Sequence, residues 1–194
     1  MTSPTTVRRL DTPESGELAR LSAVFEDLQY VLRCCEHLVS ALAAPRPDPV
    51  LAEALWTGAV VGYVRCFSGR TTILTDADVA GLDVEDQVKE LHTTFATLRD
   101  HYASRHVNPR EAFTIGIAQA NDGMPTGVAV VSAPRPGVDD TTVRVLGRLA
   151  YALSGLLDGR MQEAQNRVLG AAREMTPAQL AELPLVHLSE EPVG

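Results

Sequence analysis

At 194 residues, 45% hydrophobic and 22% charged, the chain is long enough to bury a core and falls in the range of one domain. Its net charge of −8 excludes a protein that grips long nucleic acid by broad electrostatic attraction, which needs a basic face, but is compatible with a small basic pocket in an acidic shell. No stretch approaches the about 18 uninterrupted apolar residues of a membrane span, and MTSPTTVRR has no apolar run after its arginines, so the expectation is a cytoplasmic protein with no membrane partner.

Cys34, Cys35 and Cys66 form an odd set in which the two neighbours cannot easily bridge each other. No Cys/His spacing suits zinc, so they read as buried thiols in a reducing compartment, and no metal or cofactor is expected.

The first long helix is predicted to start at Thr12-Pro13, with Thr12 as N-cap and Pro13 in the first turn. Leu18, Leu21, Phe25, Leu28, Leu32, Cys35, Leu38 and Leu42 then recur at helical spacing. The proline-rich stretch Ala44–Pro49 ends it. Val50 to Phe67 has almost no polar side and reads as a helix surrounded by others. Ser68 to Leu82 reads as a connection with one short turn. Asp83 is the expected cap of a third helix whose core stripe is Val84, Val88, Leu91, Phe95, Leu98 and Tyr102, and Asn108-Pro109 is its stop.

The period then changes to two. Phe113, Ile115 and Ile117 alternate, Asn121-Asp122-Gly123 turns, and Val128 and Val130 alternate again, which is a β-hairpin. Asp139 or Asp140 caps a long last helix with the stripe Val143, Leu146, Ala150, Leu153, Leu157, Ala164, Val168 and Ala171. Gly147, Gly155 and Gly159 weaken it locally, since glycine costs roughly 1 kcal/mol against alanine. Thr176-Pro177-Ala178-Gln179 caps one more short helix. The expected fold is mainly α, an up-and-down bundle of four main helices with one β-hairpin inserted before the last long helix. Its organisation is a flexible start over 1–12, a helical domain over 13–175 with the hairpin at about 112–132, and a short helix and loose tail over 176–194.

On the third helix, residues seven apart come within about 20° of one another. His92, Arg99 and His106 have this spacing and form a polar stripe beside the core stripe, where a partner helix or second subunit would meet it. The plain alternative for Arg99 and His106 is a solvated helix face with an Arg99-Asp100 pair, and for His92 a surface or interface histidine. Arg65 interrupts an apolar helix, so it either pairs with an acid such as Glu26 or Asp27 or lines a pocket. Trp56, Tyr63 and Phe67 read as core rather than base-stacking surface. Gly123 to Gly127 lacks the Lys-Ser/Thr ending of a phosphate loop and reads as a turn. His37 and His187 carry no role.

Arg99, Asp100 and His106 resemble the motif of the HEPN superfamily, an Arg, a polar residue, and a His separated from the Arg by four to six residues near the end of a helix, here at its longest spacing. Ala54-Leu55-Trp56, Tyr63 to Phe67, Gly69-Arg70, Leu98-Arg99-Asp100 and Val107-Asn108 extend the resemblance to a bacterial and phage HEPN-like family, over about residues 17 to 170. In those relatives the helix ends Ala-His-Ser-Val-Asn. Aligning on Val107-Asn108 puts Arg105 at the histidine position and His106 one position along.

The resemblance implies an HEPN-like fold and metal-independent RNA cleavage of a toxin or phage-defence type, with a composite site in a homodimer paired through this helix. Arg99 would stabilise charge, His106 would move the proton and Asp100 would orient one of them, while Arg105, Arg65, Arg70 and His92 would bind phosphate or RNA. A cognate antitoxin or regulator is the implied protein partner. The reading from a different class is a catalytically inactive HEPN-like module that binds a protein partner or small ligand.

Overall fold

The computed structural model describes residues 6–68, 72–103, 113–132 and 137–186, with the backbone alone for 96 and 98–103. The described residues are mainly helical and include one small antiparallel sheet. In chain order they form α1 (Pro13–Leu42), α2 (Pro49–Arg65), α3 (Asp76–Ala80), α4 (Asp86–Ala103), β1 (Phe113–Gln119), β2 (Pro125–Ser132), α5 (Asp140–Arg173) and α6 (Pro177–Glu182). No helix among the described residues is long and apolar enough to cross a membrane. The chain divides into two compact units, Glu26–Gly155 and the pair of segments Met1–Phe25 and Leu156–Gly194.

The Glu26–Gly155 unit is built on apolar spacing. Leu28, Val31, Leu38, Ala59, Val60, Tyr63, Phe95, Val143, Leu146, Leu149, Ala150 and Leu153 are all buried. The α5 stripe lies inward as its periodicity predicts, and its glycines do not interrupt the helix. Asp48 caps α2, its carboxylate accepting from the amides of Val50 at 2.8 Å and Leu51 at 3.3 Å. At Gly62, a β-carbon would stand 3.1 Å from the Val31 side chain and 3.3 Å from the Tyr30 ring, so the missing side chain lets α1 and α2 approach closely.

The third long helix begins at Asp86, two residues later than a cap at Asp83 suggests. The carbonyl of Glu85 accepts from Val88 at 2.9 Å, and Lys89 Nζ reaches back to the Ala80 carbonyl at 3.1 Å, joining the end of α3 to the first turn of α4. Its expected stop at Asn108-Pro109 lies outside the described residues.

β1 and β2 pair antiparallel, with Ile115 opposite Val130 and Ile117 opposite Val128. Gly123 closes the turn at φ 84°, a left-handed conformation that favours glycine. An alternating strand is expected to turn its apolar face to a core. Here Phe113, Ile115, Ile117, Val128 and Val130 are instead each 60–67% exposed.

In the other unit, Thr12 and Ser15 cap α1 reciprocally, the Thr12 amide donating to Ser15 Oγ at 2.9 Å and the Ser15 amide to Thr12 Oγ1 at 3.3 Å. Thr176 and Gln179 form a second reciprocal pair at the start of α6. Residues 7–9 pair with 183–186: the Arg9 amide donates to the Pro184 carbonyl at 2.8 Å, the Val186 amide to the Val7 carbonyl at 2.9 Å, and the Arg8 guanidinium to the Leu183 carbonyl at 2.6 Å.

Phe95 is fully buried, so Phe95→Ala is expected to lower unfolding stability by about 3–5 kcal/mol, read from the urea midpoint. Burial pushes the Cys35 and Cys66 thiols up to about 12 from an ordinary 9.0. Because the folded-state values are raised, their contribution to stability is intact below about pH 9 and is lost as pH rises towards about 12. The urea midpoint should therefore fall across that interval, and fall less in a Cys35→Ala/Cys66→Ala variant.

Candidate functional site

α2 and α4 meet through aromatic rings. Trp56 packs edge-on against Phe95 at 6.0 Å, and Phe95 against Tyr63 at 5.8 Å. Tyr63 lies at the centre with no exposed surface, so its hydroxyl must find a partner inside the protein. That partner is His92, whose Nδ1 lies 2.9 Å from the hydroxyl. The other ring nitrogen, Nε2, lies 3.1 Å from Asp76 Oδ1 at the start of α3.

An ionised carboxylate can only accept, so Nε2 carries a hydrogen and donates to Asp76. On the neutral ring this leaves Nδ1 as the acceptor of the Tyr63 O–H. Phe67 covers the imidazole at 4.6 Å between ring centroids. Burial, with the nearby Cys66 and Asp76, raises the Tyr63 phenol well above its ordinary value, so it stays a neutral donor. Asp76 is 93% exposed at its side chain, and the relay runs from a solvated carboxylate to a buried phenol.

This placement corrects the reading of His92 as a surface or interface histidine on a polar stripe. It is 9% exposed, with both ring nitrogens engaged. Apolar spacing on α4 did not reveal it, because the deciding neighbour, Tyr63, stands on another helix. Trp56 and Tyr63 are core, as read from the sequence.

Arg65 follows one of its two readings. Although α2 is otherwise apolar, Arg65 is its last residue and its side chain is 66% exposed, with a 3.3 Å ion pair to Asp27. Of the two alternatives, the ion pair with Asp27 is present. Arg99 and Asp100 stand near the C-terminal end of α4, where the backbone is helical. Arg70, Arg105 and His106 lie outside the described residues.

A separate concavity belongs to the unit of chain ends. An apolar cavity of about 450 Å³ is lined by Leu10, Leu18, Val168, Leu169, Ala172 and Leu180, with Thr6, Arg8 and Gln165 as its polar groups. Arg8 already donates to the Leu183 carbonyl, so the cavity holds no cluster of converging reactive groups. Sequence reasoning missed it because its walls come from the two ends of the chain.

The Tyr63–His92 bond predicts a thermodynamic coupling. Tyr63→Phe should cost about 1–3 kcal/mol, since it leaves Nδ1 buried without a donor. The cost of Tyr63→Phe with His92→Phe should fall short of the sum of the single costs by at least about 0.5 kcal/mol. Additive costs, measured by urea unfolding, would show that the bond does not hold the two helices. Comparison with protein-family models, curated proteins and solved structures finds no match to this chain.

Proposed function

We propose that this chain is an HEPN-like, metal-independent endoribonuclease of toxin or phage-defence type, folded as an up-and-down bundle of four main helices and acting as a homodimer paired through α4. The observation that carries the reading is the position of Arg99 and Asp100 near the C-terminal end of a helix, with His106 seven residues after Arg99 in the sequence.

In this mechanism a ribose 2′-hydroxyl attacks the adjacent phosphorus and the bond to the 5′-oxygen breaks, leaving a cyclic phosphate and a 5′-hydroxyl. His106 moves a proton, a task suited to an imidazole at neutral pH. Arg99 holds the additional negative charge of the transition state, and Asp100 orients one of the two. Arg105 and Arg70 bind flanking phosphates. Arg65 can join them by leaving Asp27, because an exposed pair of that kind is worth no more than about 1 kcal/mol. His92 could join only by withdrawing its Nε2–H from Asp76 out of a ring that is 9% exposed, so it enters the mechanism as a positioning residue for α4 rather than a phosphate ligand.

A catalytically inactive HEPN-like module, binding a protein partner such as an antitoxin or a small ligand, is favoured by three observations. The net charge of −8 opposes RNA, His92 is enclosed, and Arg65 already has an acid partner.

Total RNA incubated with the purified protein in EDTA separates the two. The nuclease should cut, leaving cyclic-phosphate ends, and His106→Ala and Arg99→Ala should each slow cutting by about a hundredfold or more. If the wild type cuts no better than the two variants, the nuclease reading is lost and the inactive module stands.

A further inference from the structure

Arg8 is the one charged side chain among the walls of the apolar cavity in the unit of chain ends. It is half-buried, and the other walls are mostly aliphatic. Its Nη1 donates to the Leu183 carbonyl at 2.6 Å, which uses one of a guanidinium's N–H groups and leaves its positive charge unbalanced, since a carbonyl is neutral. Among the described residues no carboxylate pairs with it. Asp11 pairs with Arg9 at 3.9 Å and Glu17 with Arg167 at 2.8 Å. The chain has 25 acidic and 17 basic residues, so a half-buried cation without an acid partner does not come from a shortage of acids.

We infer that this cavity binds a small aliphatic carboxylate, with the carboxylate on Arg8 and the hydrocarbon chain among Leu10, Leu18, Val168, Ala172 and Leu180. Three features select that ligand. At about 450 Å³ the cavity has the size of a small-molecule site, a class that is mostly apolar with a few polar groups to set orientation. The aliphatic walls call for a hydrocarbon tail, because a bare anion such as phosphate would leave them in water. The guanidinium calls for an anionic head, whose two oxygens match its planar fork. A neutral oil would bury that charge without a partner, and an amine would add a like charge to it. Thr6 and Gln165, the remaining polar groups of the walls, are uncharged and leave the choice of charge to Arg8.

The net charge of −8 sharpens that choice. Over its whole surface the chain attracts cations and repels anions, so a site that prefers an anion does so through its own residues. Every wall of the cavity belongs to the unit of chain ends and α4 to the other unit, so this binding stands or falls without RNA cleavage.

Isothermal titration calorimetry of the full chain with octanoate, octanamide, octylammonium and butyrate tests it. Octanoate should bind at one site per chain. Octanamide and octylammonium should each bind at least about tenfold more weakly, for want of the charge pair. Butyrate should bind at least about a hundredfold more weakly, since each methylene it lacks is worth roughly fourfold. Arg8→Gln should weaken octanoate at least about tenfold and leave octanamide unchanged, while Ala172→Phe, which puts a ring into the cavity, should weaken both.

Should Arg8→Gln lose the helical circular dichroism signal, the comparison of octanoate with octanamide on the wild type decides alone. Equal affinities for those two overturn the inference, as does a folded Arg8→Gln chain that binds octanoate as the wild type does. A wild type that binds no octanoate overturns it too, and two further measurements then name the occupant. Binding that appears only in a chain ending at Val186 assigns the cavity to residues 187–194, and binding that appears only when a wild-type dimer is diluted to monomer assigns it to a second copy.

Discussion

The arrangement of the Glu26–Gly155 unit depends on a buried hydroxyl that has to be satisfied. Tyr63 fills the seam between α2 and α4 better than a smaller residue would, but its O–H enters the core with it, and an unpaired hydroxyl there would cost on the order of 1–3 kcal/mol. His92 meets that need, and Asp76 sets which ring nitrogen is left to accept. The three side chains come from α2, α3 and α4, so one chain of hydrogen bonds fixes the rotation of α4 about its axis and the start of α3. Phe67, Phe95 and Trp56 supply the apolar area around it.

The rotation of α4 matters for the proposed chemistry. Two turns of helix separate position 99 from position 92, and the two fall on nearly the same side of α4. The side of α4 that carries position 92 therefore begins in the core rather than on a uniformly polar face. Whatever Arg99 does, it does on a helix whose orientation is set from inside. His92 thus holds the helix from inside, through Tyr63 and Asp76.

Much of the fold is legible in the sequence where the information is local. The α5 stripe, the reciprocal caps at Thr12 and Thr176 and the alternating hairpin all follow from spacing and capping chemistry within a few residues, whereas the stretch from Ser68 to Leu82, read as a connection with one short turn, contains the helix α3. The parts that were not legible depend on partners far along the chain. Nothing near His92 announces Tyr63, and nothing near Val7 announces Val186. Arg65 looked buried because its helix is apolar on nearly every side, yet a long side chain on the last residue of a helix can reach water. Alternation identified the hairpin strands but contains no statement of what covers them. Of the candidate site, the helical setting of Arg99 and Asp100 could be read, whereas Arg70, Arg105 and His106 lie outside the described residues.

The pairing of Val7–Arg9 with Pro184–Val186 bears on the order in which the protein can be built. Arg8 and its acceptor Leu183 are 175 residues apart, and a ribosome makes the first long before the second. All of Glu26–Gly155 emerges in between and can fold while synthesis continues, since every segment of that unit is already present. The other unit has to wait. Glu17 of α1 can already pair with Arg167 of α5, but Val7, Arg8 and Arg9 stay without their partners in Leu183–Val186 until those residues have left the exit tunnel, so the apolar cavity, lined by both Arg8 and Leu183, is completed last.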